Sequence, residues 1–265
     1  MKGRILSLFV IPKLSGRVWK VWLRDRDVFM KTYKTNFIPP FLEPLLYLLA
    51  LGFGLGFYIQ RIEGVSYAAF IAPALISISI MNSAFFECTY GSYVRMYYQK
   101  TFDAIIATPV SLEEVIAGEL FWGATRSTIN ASIILGVISF LGLANFPLSL
   151  LSVPFSFLAG LLFATIAMCC TAVVPSIDSF NYPFFLLITP MFLFSGTFFP
   201  ISILPEPVQL IAVGFLPLTH VVNIVRGLTL GKLNATLLTS LAWIAIVCAV
   251  LFIFSINLMK KRLVS

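Results

Sequence analysis

The sequence predicts an all-α integral membrane protein, and its composition and charge distribution are the observations that predict it. Of 265 residues, 59% are apolar and only 11% are charged, with a mean hydropathy of +0.98; a soluble domain does not reach such values. Half of the 18 Lys and Arg residues fall in the first 34 positions, and Lys260, Lys261 and Arg262 lie at the other end. Because basic residues accumulate in cytoplasmic segments, both tails are predicted to be cytoplasmic, with an even number of crossings between them.

Six apolar stretches are long enough to cross a bilayer, which takes about 20 helical residues. They cover residues 37–59, 68–92, 117–141, 150–175, 180–199 and 237–259. A further apolar run, Pro207 to Leu216, has only ten residues and is bracketed by prolines, so we expect an external re-entrant or interfacial hairpin there. We predict one membrane domain over residues 1–265, with its six transmembrane helices within 37–259.

Residues 12–35 are predicted to form an amphipathic helix that lies in the cytoplasmic interface. Basic residues recur there at three- and four-residue steps, while Val18, Val21 and Phe29 share the other side, as in helices that lie on membranes. The functional candidates on this helix are Arg17, Lys20, Trp22 and Arg24. A solvated basic arm with chance periodicity is the alternative interpretation.

The connection between the second and third spans is predicted to contain another short helix on the cytoplasmic side. Residues 97–107 can form about two and a half turns before Pro109, and a capping box from Ser111 to Glu114 then starts the next helix. A short exposed helix that is anchored at both ends suits the docking of a cytoplasmic partner. Its candidate contact residues are Gln99, Lys100, Thr101, Phe102, Asp103 and Ile105. A surface loop that only caps two helices is the alternative.

Three charged residues are predicted to lie inside the membrane, namely Glu87, Glu119 and Arg126. Charges in a bilayer are functional candidates because they are expensive to bury. Glu87 could neutralise Arg126 on the next, antiparallel helix. Glu119, like Glu43, lies near a cytoplasmic end, where its side chain could reach water. A structural role and a proton relay through the carboxylates are both open.

Gly52 and Gly56 form a Gly-x-x-x-Gly pair in the first span. Small residues at this spacing let two helix backbones approach closely. The neighbouring helix can belong to a second copy of the chain or to the same chain, and the pattern does not decide between them.

The sequence carries no recognisable enzyme or cofactor motif. The Cys residues have no metal-ligand spacing, His220 is the single histidine, and Ser195 lacks the first glycine of a Gly-x-Ser-Gly nucleophile. Residues 227–233 have the wrong spacing for a P-loop. We therefore expect no catalytic residue, metal site or nucleotide site in this chain, so that any ATP dependence comes from another polypeptide. Nucleic-acid binding is not expected either, because the basic residues flank apolar spans.

Several segments carry a more specific pattern than composition does. They are Gly64–Phe70, Phe86–Glu87, Ala117–Glu119, Ala172–Ser176 with Asp178, Thr189–Pro200, Leu204–Pro205, and Phe215–His220 with Arg226. Together these segments resemble the permease subunits of ABC-2 type exporters, and within that family the nodulation protein J subfamily. The resemblance covers nearly the whole chain.

The resemblance implies a homodimer of this chain with two copies of a separate ABC ATP-binding subunit, which would bind ATP and Mg. The helices at 12–35 and 97–107 would contact those subunits. An amphipathic substrate (a glycolipid, a lipo-oligosaccharide or another hydrophobic molecule) would move outward across the inner (plasma) membrane. The implied path or dimer interface follows the first, second and fifth spans, where the candidate residues are Tyr47, Gly52, Phe53, Gly56, Phe192, Phe194, Phe198 and Phe199.

Two other functions are compatible with the sequence. One is a proton-coupled secondary transporter that uses Glu87 and Glu119, and the other is a membrane scaffold that transports nothing. The aromatic residues of the implied path are also typical of ordinary lipid-facing or core surface.

Overall fold

The computed structural model describes residues 7–33, 42, 44–59 and 61–264. In chain order the elements are α1 (Val18–Lys31), α2 (Pro44–Phe57), β1 (Arg61–Ile62), β2 (Val65–Ser66), α3 (Tyr67–Tyr98), α4 (Thr101–Ile106), α5 (Leu112–Phe140), α6 (Leu148–Val173), α7 (Ile177–Phe194), α8 (Glu206–Phe215), α9 (Pro217–Leu230) and α10 (Ala235–Val264). The strands form one short antiparallel hairpin. The predicted all-α membrane architecture is confirmed. Glu43 and the beginning of the first predicted span lie outside the described residues.

Four helices within the described ranges are long and apolar enough to cross a membrane, namely α3, α6, α7 and α10. Helices α8 and α9 qualify only as a pair, and they meet at an angle of 85°. Their sharp bend agrees with the predicted hairpin. Helix α5 has 29 residues but carries Arg126 and Asn130 near its middle, and α2 is a shorter apolar helix. The number of six crossings therefore stays a prediction.

Helices α3, α5 and α6 form the centre of the bundle and pack closely through small residues. A Cβ atom on Gly123 of α5 would lie 2.6 Å from Cys88 Sγ of α3, and one on Gly160 of α6 would lie 2.7 Å from Ser127 Cβ of α5. Such small residues let helices approach closely. Close packing matters in a membrane, because the hydrophobic effect contributes little to helix association there. Helix α10 packs against α6, and α9 packs against α3 and α10.

Helix α1 lies along α5 through its apolar stripe. Val18, Val21 and Phe29 are buried, and the Trp22 Nε1–H donates to Thr125 Oγ1 at 2.8 Å. The helix therefore follows the predicted amphipathic pattern, but its apolar side contacts protein in this structure. Trp22 links α1 to α5 through this bond, and the place of α1 in the cytoplasmic interface stays a prediction.

One end of the bundle, which we call the terminal end, gathers α1, α4, the start of α5 and the end of α10. The Asn257 side-chain amide donates to Val10 O at 2.7 Å, and Lys260 Nζ lies 2.6 Å from Glu113 Oε1. The opposite end holds the β-hairpin and the α5–α6 connection, where the Asn145 N–H donates to Thr229 O at 2.7 Å. Because both described ends of the chain lie together, the fold is consistent with an even number of crossings.

The expected helix at 97–107 is wrong in its boundaries. Tyr97 and Tyr98 belong to the last, widened turns of α3, and Lys100 adopts a left-handed backbone conformation with φ 54°. That conformation stops a right-handed helix, so α4 begins only at Thr101. The capping box at Ser111 and Glu114, which starts α5, is present as predicted.

A Gly118→Ala substitution should loosen α1 from α5. The added Cβ would lie 2.6 Å from Val21 Cβ and 3.3 Å from Val18 O. Because both contacts are close to the α1 backbone, neither group can easily move aside. We expect a loss of stability of about 1–3 kcal/mol, typical of overpacking, as a lower Tm of the purified protein.

Gly136→Ala on the same helix is the matched control, because nothing lies within 4 Å of its added Cβ. This variant should be neutral or up to about 1 kcal/mol more stable, since Ala favours helix over Gly. Equal melting temperatures for the two variants would contradict the described packing of α1 on α5.

Candidate functional site

The most unusual feature of the membrane domain is a largely buried charge cluster, formed by the paired residues Glu87, Arg95, Glu119 and Arg126 and by Asp25 of α1, which interacts with Glu119 and Arg95 electrostatically. Arg95 lies at its centre. Its Nη1 is 2.8 Å from Glu87 Oε1, and its Nη2 is 2.5 Å from Glu119 Oε2. Arg126 Nη1 lies 2.5 Å from the other oxygen of Glu87. The predicted pairing of Glu87 with Arg126 is therefore present, within a larger network.

Local helix geometry brings the charges of α3 together. Glu87 begins one widened segment of α3, Glu87–Gly91, and Arg95 lies in the next, Val94–Tyr98. Widened, π-type turns are frequently found at functional sites. Gly91 between them leaves the necessary room, since a Cβ there would lie 3.2 Å from Glu87 Oε1.

Glu119 does not reach water as expected from its position near the end of a span. It is completely buried, accepts one hydrogen bond from Arg95 Nε–H that is shared between its two carboxylate oxygens, each at 3.0 Å, and accepts another from Ser92 Oγ at 2.7 Å. Arg95 is the residue that sequence reasoning misplaced, because the second span was predicted to end at residue 92. The helix instead continues to Tyr98 and carries Arg95 into the protein.

Asp25 on α1 is the cluster member that the sequence reasoning missed. It is 3% exposed, and its Oδ1 accepts from Arg24 Nη1 at 2.7 Å. Within the described part of the chain, its Oδ2 is buried without a hydrogen-bond partner. Its position on the buried stripe of Val18, Val21 and Phe29 was the signal that could have revealed it.

The environment of Asp25 favours its protonated form. Burial raises the pKa of the Asp25 carboxyl to about 7, with a further increase from the negative charge of Glu119, while Arg95 and Arg24 oppose the change. This group, on a helix outside the membrane spans, can therefore change its charge near neutral pH.

A cavity of about 390 Å³, which we call the membrane cavity, opens beside the cluster. It lies between α2, α3, α5 and α7, and its lining residues are Pro44, Tyr47, Leu75, Ile78, Ser79, Asn82, Ser83, Phe86, Glu87, Gly91, Arg126, Asn130 and Phe192. Of the predicted path residues, it brings together Tyr47 and Phe192. It also includes Glu87 and Arg126, which the sequence analysis had treated separately from the path.

The other predicted path residues lie elsewhere. Phe53 and Phe194 are exposed on the outer surface of the chain. The Phe198 ring packs against Phe192 at 4.9 Å, and Phe199 is half-buried. A Cβ on Gly52 would lie 3.3 Å from Ala68 Cβ, and one on Gly56 would lie 3.9 Å from Tyr67 Cβ. The Gly-x-x-x-Gly pair therefore faces α3 of the same chain in this structure.

A second cavity, which we call the cationic groove, lies at the terminal end between α1 and the α4 region. It has a volume of about 840 Å³, and its lining residues are Arg17, Lys20, Val21, Arg24, Gln99, Thr101, Ala104, Ile105, Thr108, Pro109 and Val110. It joins most candidates of the two predicted cytoplasmic helices. Two of its walls are linked directly, since Arg17 Nη1 donates to Pro109 O at 2.6 Å and Arg24 Nη2 donates to Thr101 Oγ1 at 3.3 Å.

Three candidates of the helix predicted at 97–107 have other positions. Phe102 is 1% exposed, so it anchors α4 to the bundle and cannot be the surface contact that was expected. Lys100 and Asp103 are both exposed, and their charged atoms are 3.9 Å apart.

No group of three or more potential metal ligands occurs within residues 7–33, 42, 44–59 and 61–264.

Replacing Arg95 with Leu should destabilise the bundle strongly. The substitution removes the shared partner of Glu87 and Glu119 and leaves their charges buried, which costs about 3–5 kcal/mol for a broken buried pair. A large decrease in Tm is expected. Arg26→Leu provides the matched control, because Arg26 and Asp27 form an exposed pair, with side chains 46% and 61% exposed. Such pairs contribute about 0–1 kcal/mol. A similar Tm for both variants would mean that Arg95 does not hold the cluster.

Asp25→Asn should make the protein more stable at alkaline pH. Because the folded pKa is raised, the stability of the wild type falls as the pH rises from the unfolded pKa near 4 to the folded pKa of about 7. An asparagine side chain does not titrate, so the stability of the variant does not fall in this way. At roughly pH 8 its Tm should exceed that of the wild type by the equivalent of about 1–3 kcal/mol, and the gap should close towards pH 4. Asp27→Asn on the exposed side of α1 should show no such pH-dependent gap.

Comparison with known proteins agrees with the predicted resemblance. Residues 17–230 match the ABC-2 type transporter family. Nodulation protein J from Rhizobium leguminosarum bv. viciae is 35% identical over 250 residues, 94% of this chain and 96% of that protein. Nodulation protein J from Rhizobium meliloti (strain 1021) is 34% identical over 256 residues, 96% and 97% of the two chains. Inner membrane transport permease YadH from Escherichia coli (strain K12) is 26% identical over 227 residues, 81% and 82% of the two chains. This chain therefore belongs to the ABC-2 type transporter family, as a multi-pass membrane protein.

Proposed function

We propose that this chain is the permease of an ATP-driven exporter that moves an amphipathic substrate outward, while a separate subunit binds and hydrolyses ATP with Mg. Family membership supports the permease assignment. The cationic groove is the observation that supports the dependence of transport on a separate ATP-binding subunit. There, two helices that are suited to contact a partner lie side by side and connect to the buried charge cluster.

The groove offers a rigid and positively charged docking surface. Arg17, Lys20 and Arg24 line one wall, so acidic residues on a partner would be attracted to it. Helix α4 forms part of the other wall and is fixed to the bundle by the buried Phe102. A short helix held in this way can transmit a movement of the partner to the membrane helices.

Arg24 connects the groove to Asp25, which interacts electrostatically with Glu119 and Arg95 of the charge cluster. Its guanidinium donates to Thr101 at the start of α4 and to Asp25 of the cluster. Arg95 then joins α3 to α5 through Glu119. We infer that movement of α4 would shift α1, α3 and α5 together. ATP supplies the bias because it binds the closed and open states of the partner with different affinities.

The proposed assembly contains a homodimer of this chain and two copies of the ATP-binding subunit in the inner (plasma) membrane. The terminal end would face the cytoplasm, because Lys and Arg are concentrated in the two tails. Two of the compared relatives are named for nodulation and one for inner membrane transport. The last of these names supports a transport role, and the outward direction is part of the proposal.

The proton-coupled alternative gains no support from the geometry of its two candidate carboxylates. Glu87 contacts both Arg95 and Arg126, and Glu119 contacts Arg95 and Ser92. Each carboxylate thus already has a counter-charge, whereas a proton carrier has to be released from such contacts during each cycle.

Charge reversal in the groove tests the proposal. The chain is purified together with its ABC ATP-binding subunit and reconstituted into nanodiscs. Lys20→Glu should weaken binding of that subunit about tenfold or more, because it places a negative charge where the partner is expected to be acidic. Substrate-stimulated ATPase activity should fall in parallel.

Lys31→Glu is the matched control, because Lys31 is exposed at the far end of the same helix and outside the groove. Lys31→Glu should change the affinity for the ATP-binding subunit by less than about twofold. In sealed liposomes, which can hold a gradient, gradient-driven transport by this chain alone would favour a secondary transporter. A complex whose ATPase never responds to substrate would favour a scaffold.

A further inference from the structure

We propose that the end of the bundle opposite the terminal end binds an anionic phospholipid, with its phosphate beside Arg226 and Lys232 and one acyl chain in the adjoining cleft between α6, α9 and α10. This lipid would be a bound component of the membrane domain, separate from the membrane cavity and from any exported molecule. The inference goes beyond the proposed function, because it requires only that the chain lies in a membrane.

The cleft between α6, α9 and α10 has a volume of about 500 Å³. Of the described residues that line it, all but Asn234 are apolar. Leu233 and Leu238 are exposed, whereas Phe155 and Ile224 are buried, so the cleft runs from the outer surface of the chain to the packed interior. Its volume lies within the range of ligand sites. In a membrane, an acyl chain can therefore enter it from the side.

A small cavity beside the cleft carries a net positive charge. It has a volume of about 110 Å³ and shares Asn234 and Leu237 with the cleft. Among the described residues that line it, Arg226 and Lys232 are basic and Glu63 alone is acidic, which leaves one positive charge. A monoanion such as the phosphate diester of a phospholipid would balance this charge. The shared wall would place that phosphate next to the start of an acyl chain in the cleft.

Arg226 contributes a charge that has no ion-pair partner among the described residues. Its Nη2 donates to Gly196 O at 2.8 Å and to Phe70 O at 3.3 Å. Its Nε is buried and, within the described part of the chain, has no hydrogen-bond partner. A guanidinium that is partly removed from water without a counter-charge is costly. An anion in the cavity would therefore stabilise this end of the protein.

Lys232 is the more accessible of the two basic residues. It is exposed, and its Nζ donates to Glu63 O at 3.0 Å. An ammonium group has three N–H donors, so two remain for phosphate oxygens. A soluble anion would use these donors but would leave the apolar cleft uncovered, whereas a phospholipid fills both cavities. With the terminal end in the cytoplasm, this lipid would belong to the outer leaflet.

Two photoactivatable lipids test this proposal. They are a phosphatidylglycerol, which is anionic, and a phosphatidylcholine, which has no net charge, and both carry the same diazirine-bearing acyl chain. The full-length chain is labelled in phosphatidylcholine nanodiscs, and mass spectrometry locates the adducts. We expect phosphatidylglycerol to label peptides that contain Leu238 or Leu241 about fivefold more than phosphatidylcholine does, the effect of one net positive charge near a lipid surface.

Lys232→Glu should lower the phosphatidylglycerol labelling of these peptides about tenfold, because it changes the net charge of the small cavity from positive to negative. Arg61→Glu is the matched control, since Arg61 is exposed at the same end of the bundle but does not line the cavity. It should lower the labelling less than about twofold. Arg226 is kept unchanged in this test, because its guanidinium stacks on the Phe70 ring at 3.9 Å and its loss would disturb the fold.

Equal labelling of the wild type by both lipids would overturn the proposal, because the cleft would then recognise only acyl chains. Equal losses in the Lys232 and Arg61 variants would do the same, since general surface charge would then attract the lipid. Displacement of the phosphatidylglycerol probe by an equimolar amount of soluble glycerol phosphate would assign the small cavity to a free anion instead. The labelling uses no ATP-binding subunit, so its outcome is independent of the groove experiment.

Discussion

The sharing of Arg95 between Glu87 and Glu119 is the interaction on which the rest of the structure depends. It joins α3 to α5 inside a largely apolar bundle, and the pairing of Glu87 with Arg126 adds a second connection between the same helices. Buried ions are stable only when they are fully paired. The helices must therefore keep a definite register, which places the membrane cavity on one side of the cluster and Asp25 of α1 on another.

The same cluster lies between two distant surfaces of the protein, the cationic groove and the membrane cavity. Arg24 reaches the cluster from the cationic groove, and Arg126 and Glu87 form part of the membrane cavity. In the proposed exporter, the groove receives the ATP-binding subunit, and the cavity lies deeper in the membrane domain. A change in one helix register would affect both, because small residues such as Gly118, Gly123 and Gly160 leave little space between the helices.

Sequence reasoning succeeded where a feature depends on local pattern. The apolar spans at α3, α6, α7 and α10, the amphipathic α1 and the capping box of α5 follow from hydropathy, periodicity and end signals. It failed where tertiary contacts decide. Arg95 was assigned to a loop because charge normally ends a span, and Glu119 was expected to reach water. Neither residue reveals its partner by spacing alone. Lys100 ended α3 through a left-handed conformation that its residue type does not favour.

Site-specific photocrosslinking tests most directly the claim that the terminal end docks the ATP-binding subunit. A benzophenone amino acid is introduced at Gln99, which lines the cationic groove, and separately at Leu210, which is 70% exposed on α8. The account predicts a crosslink between Gln99 and the ATP-binding subunit and none from Leu210. A crosslink from Leu210 but not from Gln99 would contradict it, because the subunit would then contact the wrong end of the permease.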